Sequence, residues 1–95
     1  MLKVVSKGVF KEENLQKVIA LYQDLIAETH KEHGCLSYEL YQDTENPCVL
    51  TMIETWENRA SLEAHFVTAH FKRLVPEIGK FKENGKDLHI YTKLA

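Results

Sequence analysis

PCVLTMIETWENRASLEAHFVTAHF, residues 47–71, holds a strand, two helix starts and most of the side chains equipped for chemistry. Its first half alternates with period two: Leu50, Met52, Glu54 and Trp56 fall on one face, and Val49, Thr51, Ile53 and Thr55 on the other. A carboxylate in line with apolar side chains costs free energy unless it is paired, hydrogen-bonded or open to a cavity. Glu54 beside Trp56 therefore marks a pocket wall as readily as a core. The strand stops at once, because Asn58 is a good N-cap residue. Arg59 to Phe66 reads as a helix, and Thr68 can cap a second one that begins at Ala69. His65 and His70 lie in this passage.

Outward from there the period changes twice. On the N-terminal side, Cys35 to Asp43 alternates Leu36, Tyr38 and Leu40 against Ser37, Glu39 and Tyr41, and the turn-forming run Asp43 to Pro47 makes a hairpin with the strand just described. Before it, Leu15, Val18, Ile19, Tyr22, Leu25, Ile26 and Thr29 follow the spacing of an amphipathic helix, with Gly34 placed as a left-handed C-cap after His30, Lys31 and His33. Leu2 to Phe10 is a first strand. On the C-terminal side, Leu62, Phe66, Phe71, Leu74 and Ile78 supply an inner helical face, Pro76 predicts a kink or restart, and Lys86 to Lys93 forms a last strand. The order is βαββαβ, the ferredoxin-like α+β arrangement: a four-stranded antiparallel sheet with helices on one face. Val5, Val9, Val49, Ile53 and Tyr91 are candidates for the bare face, and covering it with a second subunit predicts a two-fold dimer.

Ninety-five residues predict one domain, 1–95, with a single core. A net charge of -2 with Lys and Arg spread along the chain argues against nucleic acid as a partner. Lys3 and Lys7 interrupt the apolar N-terminus, so neither a signal peptide nor a membrane span is expected, and the cytoplasm is the expected compartment. Cys35 and Cys48 form no metal-binding motif. On the hairpin they stand roughly 26 Å apart at strand rise, too far for a bridge, and read as reduced thiols.

The run H-G-C-L-S-Y-E-L at 33–40, I-E-T-W-E-N at 53–58 and L-E-A-H-F-V-T-A-H-F at 62–71 resemble the antibiotic biosynthesis monooxygenase family, most closely its quinol-monooxygenase-like small proteins. The resemblance covers nearly the whole chain. It implies a dimeric α+β barrel, a homodimer packed sheet to sheet, with a pocket in each subunit between sheet and helices. It also implies oxidation of a small aromatic or quinone-like substrate by molecular oxygen, with neither metal nor flavin. Haem-degrading members of the family use an Asn, a Trp and an iron-binding His at places held here by Ser6 or Lys7, His65 and Val75, so the resemblance does not extend to haem.

Within that frame each candidate carries two readings. Glu54 is a proton acceptor with a raised pKa, or a structural hydrogen bond to a histidine or a helix N-terminus. Trp56 is a stacking surface for a planar substrate or a core side chain. His65 is placed at the pocket mouth to accept a phenolic proton, or is a partly buried ring bonded to Glu54 or a backbone carbonyl. His70, near a helix N-terminus, is expected to stay neutral and hold a carboxylate or carbonyl. Tyr38 and Phe66 complete the expected substrate-binding set. His65 and His70 are five apart, not the three or four that place ligands on one helical face, and no metal is expected. A non-catalytic binding or stress-response dimer of the same fold is the alternative function.

Overall fold

The computed structural model describes residues Met1–Ala95. Four strands, β1 (Leu2–Val9), β2 (Cys35–Gln42), β3 (Val49–Trp56) and β4 (Leu88–Thr92), alternate with three helices, α1 (Leu15–Thr29), α2 (Arg59–Phe66) and α3 (Ala69–Gly79). The strands form one antiparallel sheet in the order β2-β3-β1-β4, the expected ferredoxin-like topology. Register places Tyr38 opposite Glu54, Glu54 opposite Val4, and Val4 opposite Ile90, one row of side chains across the sheet. Because pleating sends alternate residues to opposite faces, this row and the row through Leu40, Met52, Ser6 and Leu88 point the same way. The helices cover that face.

Leu15, Val18, Tyr22, Leu25 and Thr29 are the buried stripe of α1, spaced as the sequence predicts. They pack with Val4, Phe10, Leu50, Trp56, Leu62, Leu74 and Ile78 in one core. Asn58 caps α2 by accepting the Ser61 N–H at 2.9 Å. Thr68 caps α3 by accepting the Phe71 N–H at 3.3 Å, while its own hydroxyl donates to the His65 carbonyl at 2.8 Å. These two hydrogen bonds of one threonine tie the end of α2 to the start of α3.

Three expectations are corrected. Helix α1 ends at Thr29, and Gly34, at φ +84°, is not its cap but the last residue of the following turn. A Cβ at Gly34 would collide with the Ser61 side chain, so glycine is required both by its dihedral and by the close approach of α2. Helix α3 runs through Pro76 to Gly79 without a restart. Pro76 and Lys72 are both exposed, so water can take the carbonyl that the missing N–H leaves free. A register shift between Cys35 and Ser37 leaves Leu36 55% exposed instead of sharing the inner face with Tyr38.

On the other face Val5, Val9, Val49 and Ile53 are half-buried and Tyr91 is exposed, as expected for the side without helices. A broad depression of about 510 Å3 lies at one end of it, near Met1, Val5, Thr55 and Tyr91. Its only titratable side chains are Lys3, Lys93 and Tyr91, so it carries no acid–base pair. The cysteines are free thiols. No helix is long and apolar enough to cross a membrane.

Candidate active site

Between the sheet and helices α1 and α3 lies a second hollow, about 180 Å3, and here the chemistry collects. Glu54 projects into it from the middle strand row, with Tyr38 beside it from β2, Tyr22 from α1, Phe71 from α3, and Ser6 and Met52 from the sheet. Glu54 is only 5% exposed. Burial pushes its carboxyl up to about 7; the Trp56 hydrogen bond opposes that rise and the Glu32 charge adds to it. The Trp56 indole N–H donates to Glu54 Oε1 at 3.0 Å. One carboxylate oxygen is thus held by the adjacent tryptophan, not by a histidine or helix N-terminus.

The two phenols respond to the same surroundings. Burial, then the Glu54 charge, raises Tyr22 to about 12 and drives Tyr38 well above the usual tyrosine range. Both stay protonated at any physiological pH and offer O–H donors to a guest. The hollow therefore presents a carboxyl that is half ionised near neutrality between two permanent donors.

A second cluster adjoins this one. Glu32, in the turn after α1, accepts from both histidines through a single oxygen: His65 Nδ1 at 2.8 Å and His70 Nε2 at 2.6 Å. A carboxylate only accepts, so each ring carries its proton on the nitrogen facing Glu32. His65 is 1% exposed, with ring centroids of Trp56, Phe71 and Tyr38 at 4.7, 4.9 and 5.2 Å. Burial lowers its pKa and so favours the neutral ring, and it outweighs the hydrogen bond and charge of Glu32, which act the other way.

The expected site residues thus divide. Glu54 and Tyr38 line the hollow. Trp56 is fully buried and reaches the site through its bond to Glu54. His65 is not at the mouth; it is enclosed by rings, and its partner is Glu32 rather than Glu54 or a carbonyl. His70 holds a carboxylate, as expected of it. Phe66 is half-buried against Phe71, centroid to centroid 5.4 Å, and outside the hollow. Sequence spacing misleads for the two histidines because it assumes one helix: the break at Val67 and Thr68 turns both rings toward Glu32. Glu32 itself carries no sequence signal, since a turn residue has no period. Tyr22 has one, a phenol in the middle of a mostly aliphatic helical stripe, but that pattern reads first as core.

The sheet order and the helices on one face define a ferredoxin-like α+β domain. Residues 1–77 match the antibiotic biosynthesis monooxygenase family, and the chain belongs to it. An uncharacterized protein, sll1783, of Synechocystis sp. is 32% identical over 85% of this chain. The chain spans only 55% of that relative's length. A conserved protein from Methanosarcina mazei Go1 superposes with a TM-score of 0.95 at 39% identity, over 98% of this chain and 92% of that one. The structure of an antibiotic biosynthesis monooxygenase gives 0.94 at 35% identity, with both chains covered in full.

Proposed function

We propose that the chain is a cytoplasmic, cofactor-independent monooxygenase that oxidises a small aromatic, hydroquinone-like substrate with molecular oxygen, as a homodimer closed through its open sheet face. The observation that carries this reading is Glu54: a carboxyl at about 7, 5% exposed, facing a hollow between two phenols. A cavity of about 150 Å3 admits benzene, so about 180 Å3 suits one substituted ring. The ring hydroxyl donates to Glu54, and a substrate oxygen accepts from Tyr22 or Tyr38.

Glu54 takes the phenolic proton as the ring becomes a phenolate, which gives an electron to oxygen far more readily than the phenol does. Oxygen then bonds to a ring carbon ortho to the phenolate that carries hydrogen. One oxygen atom stays on that carbon as a new carbonyl or hydroxyl, and the other leaves as water with the hydrogen of that carbon and the phenolic proton. Hydroquinone plus dioxygen gives hydroxyquinone plus water, and no external reductant enters. Trp56 holds the carboxylate in place, and His65 acts through its packing on Trp56 and Tyr38 as a positioning residue.

Oxygen uptake with a panel of hydroquinones across pH tests this in the wild type, Glu54→Gln and His65→Ala. The wild-type kcat/KM should rise as pH passes about 7 and Glu54→Gln should lose that dependence along with most turnover, by about 100-fold or more. Turnover unchanged in Glu54→Gln removes the carboxyl from the mechanism. No oxygen uptake with any substrate favours a binding or stress-response module instead.

A further inference from the structure

We propose that Glu32, His65 and His70 form a binding site for one first-row divalent cation of the zinc class, with the remaining coordination position open to water. The site is separate from the hollow, and the cation takes no part in the oxidation proposed above. One donor atom from each residue lies within 4.8 Å of the other two. Both ring nitrogens already point at the same Glu32 oxygen, at 2.8 and 2.6 Å. With metal–ligand bonds of about 2.0–2.1 Å, donors around a tetrahedral ion stand about 3.3 Å apart. The Glu32 oxygen must retreat by roughly half an ångström from each ring, and the two ring nitrogens, within 4.8 Å of each other, must draw toward that same spacing; Glu32 sits in a turn and His70 at the start of α3, where both can give way.

The donor set selects the ion. Two imidazoles and one carboxylate suit zinc and its neighbours, whereas calcium and magnesium favour oxygen alone. Three protein ligands with one open position are a common arrangement for zinc. One ligand is held firmly before any ion arrives, His65 by the surrounding rings, while the partly exposed His70 at the start of α3 can move toward it. Access is one-sided, since the side chains of Glu32 and His70 are 13% and 16% exposed and that of His65 only 1%. No lysine or arginine competes for Glu32; neighbouring Lys31 pairs with Glu28 at 2.9 Å. On binding, each ring must present a lone pair where it now presents a proton to Glu32, so metal entry moves or releases a proton at both.

The test is calorimetric titration of chelator-treated full chain with zinc sulfate, repeated with cobalt to read the coordination spectrum. Wild type should take up one ion per chain, and cobalt should give the intense visible bands of a four-coordinate site. Glu32→Gln and His70→Ala, both at partly exposed positions, should each weaken zinc by at least about 100-fold, the upper end of what disturbing even an outer-shell partner does. His33→Ala, an exposed histidine nearby, should bind as wild type does. Circular dichroism without metal checks that each variant is folded, and two variants at different elements guard against the failure of one. Absence of saturable zinc binding in the wild type would leave the cluster a hydrogen-bonded tie and overturn the proposal. So would wild-type affinity in either ligand variant, or loss of binding in His33→Ala.

Discussion

Replacing Glu54 by glutamine should make the chain more stable at alkaline pH, and the gain can be worked from the surroundings of the carboxyl. In the folded state its pKa rises from 4.5 to about 7 because burial penalises the charged form. The folded chain therefore holds a proton that the unfolded chain has released between those two values. Stability contributed by the neutral carboxyl is complete below 4.5 and lost as pH climbs through about 7. Each pH unit of that gap is worth about 1.36 kcal/mol, so keeping the group buried at pH 9 costs the wild type about 3 kcal/mol.

Glutamine is close in shape, keeps an oxygen for the Trp56 N–H and does not ionise. At pH 4.5 the two proteins should unfold at similar urea concentrations; at pH 9 the variant should be ahead by about 3 kcal/mol, or about 1–3 M urea at the usual slopes. Titration of every other group cancels in the difference. Parallel profiles from pH 4.5 to 9 would show that Glu54 is ionised and solvated in the folded protein, which would remove its standing as a poised proton acceptor.

Trp56→Phe removes the indole hydrogen bond that opposes that rise, so the pH profile of turnover should move to higher pH and urea stability should drop by about 1–3 kcal/mol. Asn58→Ala deletes the cap of α2 and should cost about 1 kcal/mol by chemical denaturation, with Asn58→Asp retaining most of it. Gly34→Ala should cost more than about 1 kcal/mol, since both its dihedral and the Ser61 side chain oppose a methyl group; on a Ser61→Gly background, which removes the collision, the same substitution should cost less and leave only the dihedral penalty.

Much of this architecture is legible from residue order. The alternation through Leu50, Met52, Glu54 and Trp56 and the stripe from Leu15 to Thr29 are periodic, and periodicity reports directly on which side faces a core. Asn58 and Thr68 are legible for a different reason: capping is a local bargain between a side chain and an N–H three residues on. The alternation puts Leu36 on the wrong face because one irregular residue reverses a face without altering the pattern of letters. Gly34 stands out in the sequence but its role does not, since a positive φ can serve a turn as well as a cap. Glu32 leaves no trace in the pattern. Its importance comes from partners 33 and 38 residues away, brought together by a bend that no single-helix projection contains. The walls of the hollow are hidden similarly, being gaps between elements rather than properties of any one.

The place of β1 in the sheet bears on how the chain is made. It is made before the other three strands, yet its neighbours are β3 and β4, so one edge waits for residues 49–56 and the other for residues 88–92. Both later strands must be made before Val4 has a partner on each side, and closure of the sheet depends on contacts distant in sequence, a topology that folds more slowly than local pairing does. Until then the nascent segment carries two open strand edges, which is where a chaperone would find its hold.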